Sequence, residues 1–290
     1  MTREPGMVKS RPKPTHWQIR GRSLPLGPCP LIMGIINVTP DSFSDGGNFS
    51  TVEAAIERAD TLVKAGADII DIGGQSTRPG SERISPQREL ERVQPAVEAI
   101  VSRFDIAVSV DTYYSPVAFN ALGSGAHIIN DVSACRYNED MARIVAETGA
   151  GIVLMHMLGT PMTMQNSPFY KDVLAEVCTF LIERAEFCRK AGIRPNAIAI
   201  DPGIGFGKTF EHNLALIRGL DELSTIGMPV LLGHSRKSFF GRITGTEPAQ
   251  RDLETAVLSA IVAQRHAVDI IRVHDVDATK RAIKVAGKVN

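Results

Sequence analysis

The chain carries no excess of charge: 32 basic side chains balance 32 acidic ones across 290 residues. That balance argues against nucleic acid or a membrane surface held by bulk charge, so any anion must be caught by a local constellation. Cysteine is scarce. The 4 present, Cys29, Cys135, Cys178 and Cys188, form neither a C-x-x-C pair nor a zinc spacing, and read as reduced thiols of a cytoplasmic protein. No apolar run has the length of a membrane span, and the basic, Pro-rich start MTREPGMVKSRPKP lacks the apolar stretch of a signal peptide. Nucleophile and phosphate motifs are missing too. DPGIGFGKT fails as a phosphate loop because Pro202 stands where the first glycine belongs, and GHSRK fails as a hydrolase elbow because Lys237 replaces its last glycine. There is no H-E-x-x-H, and His127, His156, His212, His234 and His266 read as core or surface residues.

What is present is a repeat of short apolar runs and amphipathic stretches. Strands are expected at 31–37, 69–73, 107–111, 127–130, 151–156, 197–201, 229–233 and 270–273. Runs such as DIIDIG and IVLMH are apolar on both faces, as in a parallel sheet covered on both sides. Helices are expected near 51–65, 86–103, 116–123, 139–147, 173–191, 213–223 and 255–265, with a last one after Asp277. Gly66, Gly149 and Gly192 follow helix ends and precede strands, the signature of a repeated helix-to-strand turn. With 43% hydrophobic residues there is apolar surface for one large core. The expected fold class is α/β, a single (β/α)8 TIM barrel over 29–290. A short N-terminal extension, 1–28, would hold a tail and a hairpin at HWQIRGRSLPLG. A doubly wound open sheet is the alternative, but eight strands without a composition break favour closure.

In such a barrel the chemistry belongs at the C-terminal ends of the strands and in the loops that follow. The polar residues fall there: Asn37, Asp111, Asn130 and Asp201 end strands, Lys237 follows the seventh, and Arg272 and His274 lie on the eighth. One Asp or Asn at a strand end is as often a cap or turn former. Six or more converging on one barrel face are not explained by capping. The loops 39–48 and 75–85, rich in Gly, Ser, Pro and Asp, are longer than usual and read as lids.

The chain of motifs GIINVTPDSFSDGG, DIIDIGGQSTRPG, SVDT, IINDVS, LMHMLGTPMTMQ, IAIDPGIGFGK, GHSRKS and IIRVHDV resembles that of the dihydropteroate synthases, in the same order, over residues 33–276. The resemblance implies a pterin-binding barrel that couples a dihydropterin-methyl diphosphate to p-aminobenzoate with loss of diphosphate. It also implies an SN1-like course, a magnesium ion and a homodimer. By position Asp201 would accept the paired N–H donors of the pterin edge, with Asn130 and Asp111 completing the pattern and Lys237 facing the oxo side. Thr77, Arg272 and His274 would bind the diphosphate, and Asn37 would hold Mg²⁺. Lys237, Arg272 and His274 are the catalytic candidates. Ser238, opening a helix, would take the aminobenzoate carboxylate. Arg78, Phe43, Phe206, Pro79 and Met155 are further candidates for the pocket wall, Phe206 being equally explicable as ordinary packing. In the second loop Gln75 stands where the family often has glutamate, and no basic residue follows Asp111 closely. Two other readings share this barrel: a pterin-binding methyltransferase, and a paralogue that binds pterin without turnover. The intact first loop, SRKS and RVHD together speak against the first, and lid loops that are not eroded speak against the second.

Overall fold

The structure, a computed structural model, describes residues 13–39, 48–76 and 80–289, without the side chains of 48–51. Phe43, Thr77, Arg78 and Pro79 lie outside the described residues. A two-stranded antiparallel hairpin comes first, β1 (His16–Ile19) and β2 (Arg22–Pro25), turned at Gly21 with φ +65°. Then strands and helices alternate: β3 (Leu31–Asn37), α1 (Asn48–Lys64), β4 (Ile69–Gly73), α2 (Pro86–Arg103), β5 (Ala107–Asp111) and α3 (Ser115–Gly123). They continue with β6 (Ile128–Asp131), α4 (Asp140–Thr148), β7 (Gly151–Met155), α5 (Val173–Lys190) and β8 (Ile198–Asp201). Two helices follow, α6 (Phe210–Arg218) and α7 (Leu220–Ser224), then β9 (Leu231–Leu232), α8 (Ser238–Thr244), α9 (Asp252–Gln264), β10 (Ile270–Val273) and α10 (Val276–Ala286).

The eight parallel strands run in the order β8-β7-β6-β5-β4-β3-β10-β9. A parallel bridge between Ile200 and Val230 joins the two ends, so the sheet forms the expected barrel. Local signals set the helix limits. Ser85 accepts the Arg88 amide at the start of α2, Asp172 those of Leu174 and Ala175 on α5, and Asp275 that of Ala278 on α10. Gly66, Gly149 and Gly192 all take the left-handed turn their positions suggested. Two elements differ from the sequence reading. The helix expected over 213–223 starts at Phe210 and breaks at Gly219, where a side chain would lie 2.4 Å from Leu174 Cδ2. The seventh barrel strand shrinks to two residues, because Pro229 has no N–H and the Val230 amide is taken by Asp269 Oδ2 at 2.8 Å.

Outward strand residues such as Ile70, Ile72, Val108, Val110, Ile152 and Leu154 pack under the helices in one large core. Inward residues near the strand starts, among them Met33, Ile69, Ile128, Val153, Leu231 and Ile270, form a second cluster with Trp17 and Ile19 of the hairpin. Trp17 is fully buried and donates its indole N–H to Ala197 O at 3.0 Å. The hairpin thus closes the N-terminal end of the barrel. Among the described residues no helix is long and apolar enough to cross a membrane.

Candidate active site

Alternation along a strand decides which residues enter the barrel. With Ile69 inward on β4, Asp71 and Gly73 are inward too; with Ala107 on β5, so are Ser109 and Asp111. The same parity turns Asn130 inward on β6, Met155 on β7, Asp201 on β8 and Arg272 on β10. Register then aligns them, since Asn37 pairs with Gly73, Gly73 with Asp111, Asp111 with Asn130, and Met155 with Asp201. The apolar layer at the closed end is therefore overlain by a polar one that opens toward the loops.

An ion cluster crosses that layer. Arg272 donates from Nε to Asp71 Oδ2 at 2.6 Å and from an Nη to Asp111 Oδ2 at 2.9 Å. Asn130 Nδ2 reaches the same Asp71 oxygen at 3.2 Å. Asp71 is wholly buried. Burial pushes the Asp111 carboxyl above its ordinary range, against the pull of Arg272. Asp111, Asn130 and Arg272 are thus brought together as one network, with the guanidinium charge already shared between two carboxylates.

Beside it stands Asp201, buried, its Oδ1 accepting the Gly203 amide at 2.7 Å. Burial lifts this carboxyl to about 6, while the Gly203 bond and the cations Lys237, Lys208 and Arg272 draw it down. Gly203 is fixed by geometry: its φ is +69°, and a Cβ there would lie 2.0 Å from His156 O. Lys208, fully enclosed, bonds His156 Nδ1 at 3.0 Å, His156 O at 3.3 Å and Phe206 O at 3.0 Å. Enclosure lowers its ammonium to about 7 despite Asp201, and the His156 ring, buried beside that cation, falls to about 2. Phe206 packs with Met155 in a third apolar cluster, and Lys237 Nζ sits 4.0 Å from the centre of its ring.

At the rim, Asn37 and Asp111 flank Gly73. A Cβ built on that glycine would lie 3.6 Å from Asn37 Oδ1 and 4.0 Å from Asp111 Oδ2. This cradle presents hard oxygens only, which suits a magnesium ion that keeps most of its water; it has no soft ligand for zinc. Among the described residues no group of three His, Cys, Asp or Glu side chains forms a dedicated cage. His274 Nδ1 lies 2.9 Å from Ser235 Oγ, and Arg58 of α1 donates to the His274 carbonyl. Burial, with Arg236 and Arg272 nearby, holds the His274 ring down to about 3, so it is neutral at pH 7. Positive charge around it comes from Arg58 and from Arg236, which is gripped by Asp252 through two bonds of 2.7 Å. Ser238 is exposed at the first turn of α8.

A family profile described as pterin binding enzyme matches residues 33–274. The chain is 45% identical over 266 residues to the dihydropteroate synthase of Escherichia coli strain K12, covering 92% of this chain and 93% of that one. The fold superposes with a TM-score of 0.87 on the Xanthomonas albilineans dihydropteroate synthase solved with 4-aminobenzoic acid, at 43% identity, over 95% of this chain and 98% of that one. Against that enzyme in complex with 7,8-dihydropteroate the TM-score is 0.82, at 41% identity, over 93% and 96% of the two chains. The chain belongs to the dihydropteroate synthase family. It is therefore an enzyme of the transferase class.

Gln75 and the segment that follows Asp111, set apart in the sequence analysis, meet in space. Gln75 Nε2 donates to Tyr113 Oη at 2.5 Å, and Gln75 Oε1 accepts the Ile84 amide at 3.2 Å. Tyr114 Oη donates to Ile84 O at 2.8 Å. A neutral amide and two phenols, just after Asp111, therefore hold the far end of the second loop.

Three members of the site escaped the sequence reading. Asp71 lies inside DIIDIG, read as apolar on both faces; its parity with Gly73 was the signal. Lys208 was set aside with the failed phosphate loop. Arg58, within the helix expected over 51–65, belongs to none of the motifs and was not singled out.

Proposed function

We propose that this chain condenses (7,8-dihydropterin-6-yl)methyl diphosphate with 4-aminobenzoate, giving 7,8-dihydropteroate and diphosphate in folate biosynthesis. The observation that carries this reading is the buried Asp201 carboxylate facing the barrel mouth with Asn130, Asp111 and Lys237 around it, in a family whose X. albilineans member was solved with 4-aminobenzoic acid. Asp201 accepts two N–H donors of the ring edge, Asn130 and Asp111 take the remaining pattern, and Lys237 binds the oxo side. A ring lacking those donors leaves buried acceptors unpaired, so the site rejects it.

The carbon–oxygen bond to the diphosphate breaks first, the leaving group taking the electron pair. The methylene cation is conjugated to the electron-rich ring, which Asp201 and Asp111 hold in a negative field. The aminobenzoate nitrogen then attacks that carbon with its lone pair and releases one proton. No covalent nucleophile is required; the protein positions and stabilises. Thr77 and Arg272 bind the diphosphate. His274 serves it as a hydrogen-bond partner, with Arg58 and Arg236 supplying charge nearby. Asn37 would hold a magnesium ion, which when bound would supply charge neutralisation for the diphosphate. Ser238, at the mouth, takes the aminobenzoate carboxylate, and Phe206 with Met155 forms an apolar wall.

Diphosphate release from purified protein, with dependence on both 4-aminobenzoate and Mg²⁺, tests the reading. No turnover with both substrates present sinks it. In the same assay Asn37→Ala is expected to raise the magnesium concentration for half-maximal rate about tenfold or more while pterin affinity changes less; the opposite ordering removes Asn37 as the metal residue.

A further inference from the structure

The loop after β8 carries more than an apolar side chain. It turns through three left-handed glycines, Gly203, Gly205 and Gly207, and its peptide groups are held from several sides. Gly205 N–H donates to Asn213 Oδ1 at 2.7 Å, and Gly205 O accepts from Gln165 Nε2 at 2.8 Å. Phe206 N–H donates to Gly203 O at 3.1 Å, and Phe206 O accepts from Lys208 Nζ at 3.0 Å. Gly207 O accepts from Tyr170 Oη at 2.8 Å. Helix α6, the segment after β7 and the loop itself thus fix the backbone on both sides of Phe206. What rests on this platform is a cation. Lys237 Nζ lies 4.0 Å from the centre of the Phe206 ring. Its stem runs past Gly205, where a Cβ would come within 3.2 Å of Lys237 Cδ and 3.8 Å of Nζ. Burial raises the Asp201 and Asp111 carboxyls, and the Lys237 charge counters that rise in each.

A lysine ammonium is a point charge on a flexible stem, so its place is set by what stem and charge rest on. The face of an aromatic ring attracts a cation, more strongly where water is excluded, and Phe206 is only 8% exposed. We propose that Phe206 is a positioning residue for the pterin half of the site: its ring, backed by Gly205, sets the Lys237 ammonium beside Asp201. The inference rests on the proposed binding of the pterin by Asp201 and Lys237. It gives Phe206 a part before any aminobenzoate has entered. A wall for the second substrate acts only when that substrate is present. The two roles therefore separate in binding of the pterin alone.

The test measures the dissociation constant of 6-hydroxymethyl-7,8-dihydropterin on the full chain without 4-aminobenzoate. Phe206→Leu keeps an apolar side chain and loses the ring face, and is expected to weaken binding about fivefold or more. Phe206→Tyr keeps the face and is expected to stay within about twofold of the wild type. Lys237→Met is expected to weaken binding as well. Phe206→Leu added to it is expected to cost less than about twofold more, because the ring acts through the cation. Unchanged pterin affinity in Phe206→Leu, with a raised Michaelis constant for 4-aminobenzoate, makes Phe206 a wall alone and overturns the proposal. A fully additive loss in the double variant, the result of a merely structural role, overturns it too. If Phe206→Leu does not fold, a fluorinated phenylalanine at 206 keeps the shape and drains the negative face. Graded loss of pterin affinity with fluorination then supports the proposal, and unchanged affinity overturns it. A wild type that binds no pterin fails the proposed function itself, a result distinct from each of these.

Discussion

The Gly203 amide donates to Asp201 Oδ1 at 2.7 Å from a backbone conformation that only glycine takes at low cost. The carboxylate proposed for the pterin edge is thus oriented from behind by main chain. With φ at +69° and a wall 2.0 Å from any Cβ, Gly203→Ala must shift the loop or the end of β7. Pterin affinity is expected to fall about tenfold or more and the melting temperature by several degrees. Calorimetric titration and thermal unfolding measure both. An alanine variant with wild-type affinity would show that the amide has no part in the site.

Binding through Asp201 should depend on pH with a definite sign. Its carboxyl is raised to about 6 in the empty protein, above the ordinary 3.8. Stability from this group is therefore full below pH 3.8 and declines as pH rises through 6. Pterin binding runs the other way, since the ring donors need the ionised form. Affinity is expected to level off above about pH 7 and to weaken by up to about tenfold per unit below 6. A dissociation constant that stays flat down to pH 4.5 would remove Asp201 from the pterin edge.

Lys208 provides a check on that profile. Its ammonium helps to draw Asp201 downward, so Lys208→Met is expected to move the acid limb of pterin binding to higher pH. Its own value, lowered to about 7 from 10.5, means that the folded state disfavours its charged form. Stability from this group therefore increases as pH rises from 7 toward 10.5 and is absent below that window. The stability gap between wild type and Lys208→Met should accordingly shift in favour of the wild type with rising pH, as followed by denaturant titrations at pH 6 and 9. An unmoved acid limb would reduce Lys208 to a packing residue.

Trp17→Ala removes the plug at the other end. A buried aromatic cut to alanine costs about 3–5 kcal/mol, and here a bond to Ala197 O is lost as well. Urea unfolding should show that loss, while the residual folded enzyme keeps its Michaelis constants. Weaker substrate binding at equal folded fraction would mean that the closed end communicates with the site.

The barrel was legible because its signals are local: apolar runs of strand length, capping residues, and glycines at helix ends. Asp111, Asn130, Asp201 and Arg272 were legible because strand ends are where this architecture puts chemistry, and all four do enter the same interior. Asp71 was hidden one turn of the pleat deeper, where a lone acid between isoleucines looks like part of a hydrophobic strand. The role of Lys208 depends on residues 52 positions away, through His156, a separation no motif spans. Arg58 likewise meets His274 across 216 positions. For Phe43, Thr77, Arg78 and Pro79 the reading still stands on sequence resemblance.

The hairpin that seals the barrel floor also governs traffic. With Trp17 and Ile19 filling the N-terminal end, the described residues leave the loop end as the approach to the interior, and Asp71, Asp201 and Arg272 lie at the back of the room. Under the proposed condensation, a product whose pterin ring sits on Asp201 would have to back out past the rim with that ring last.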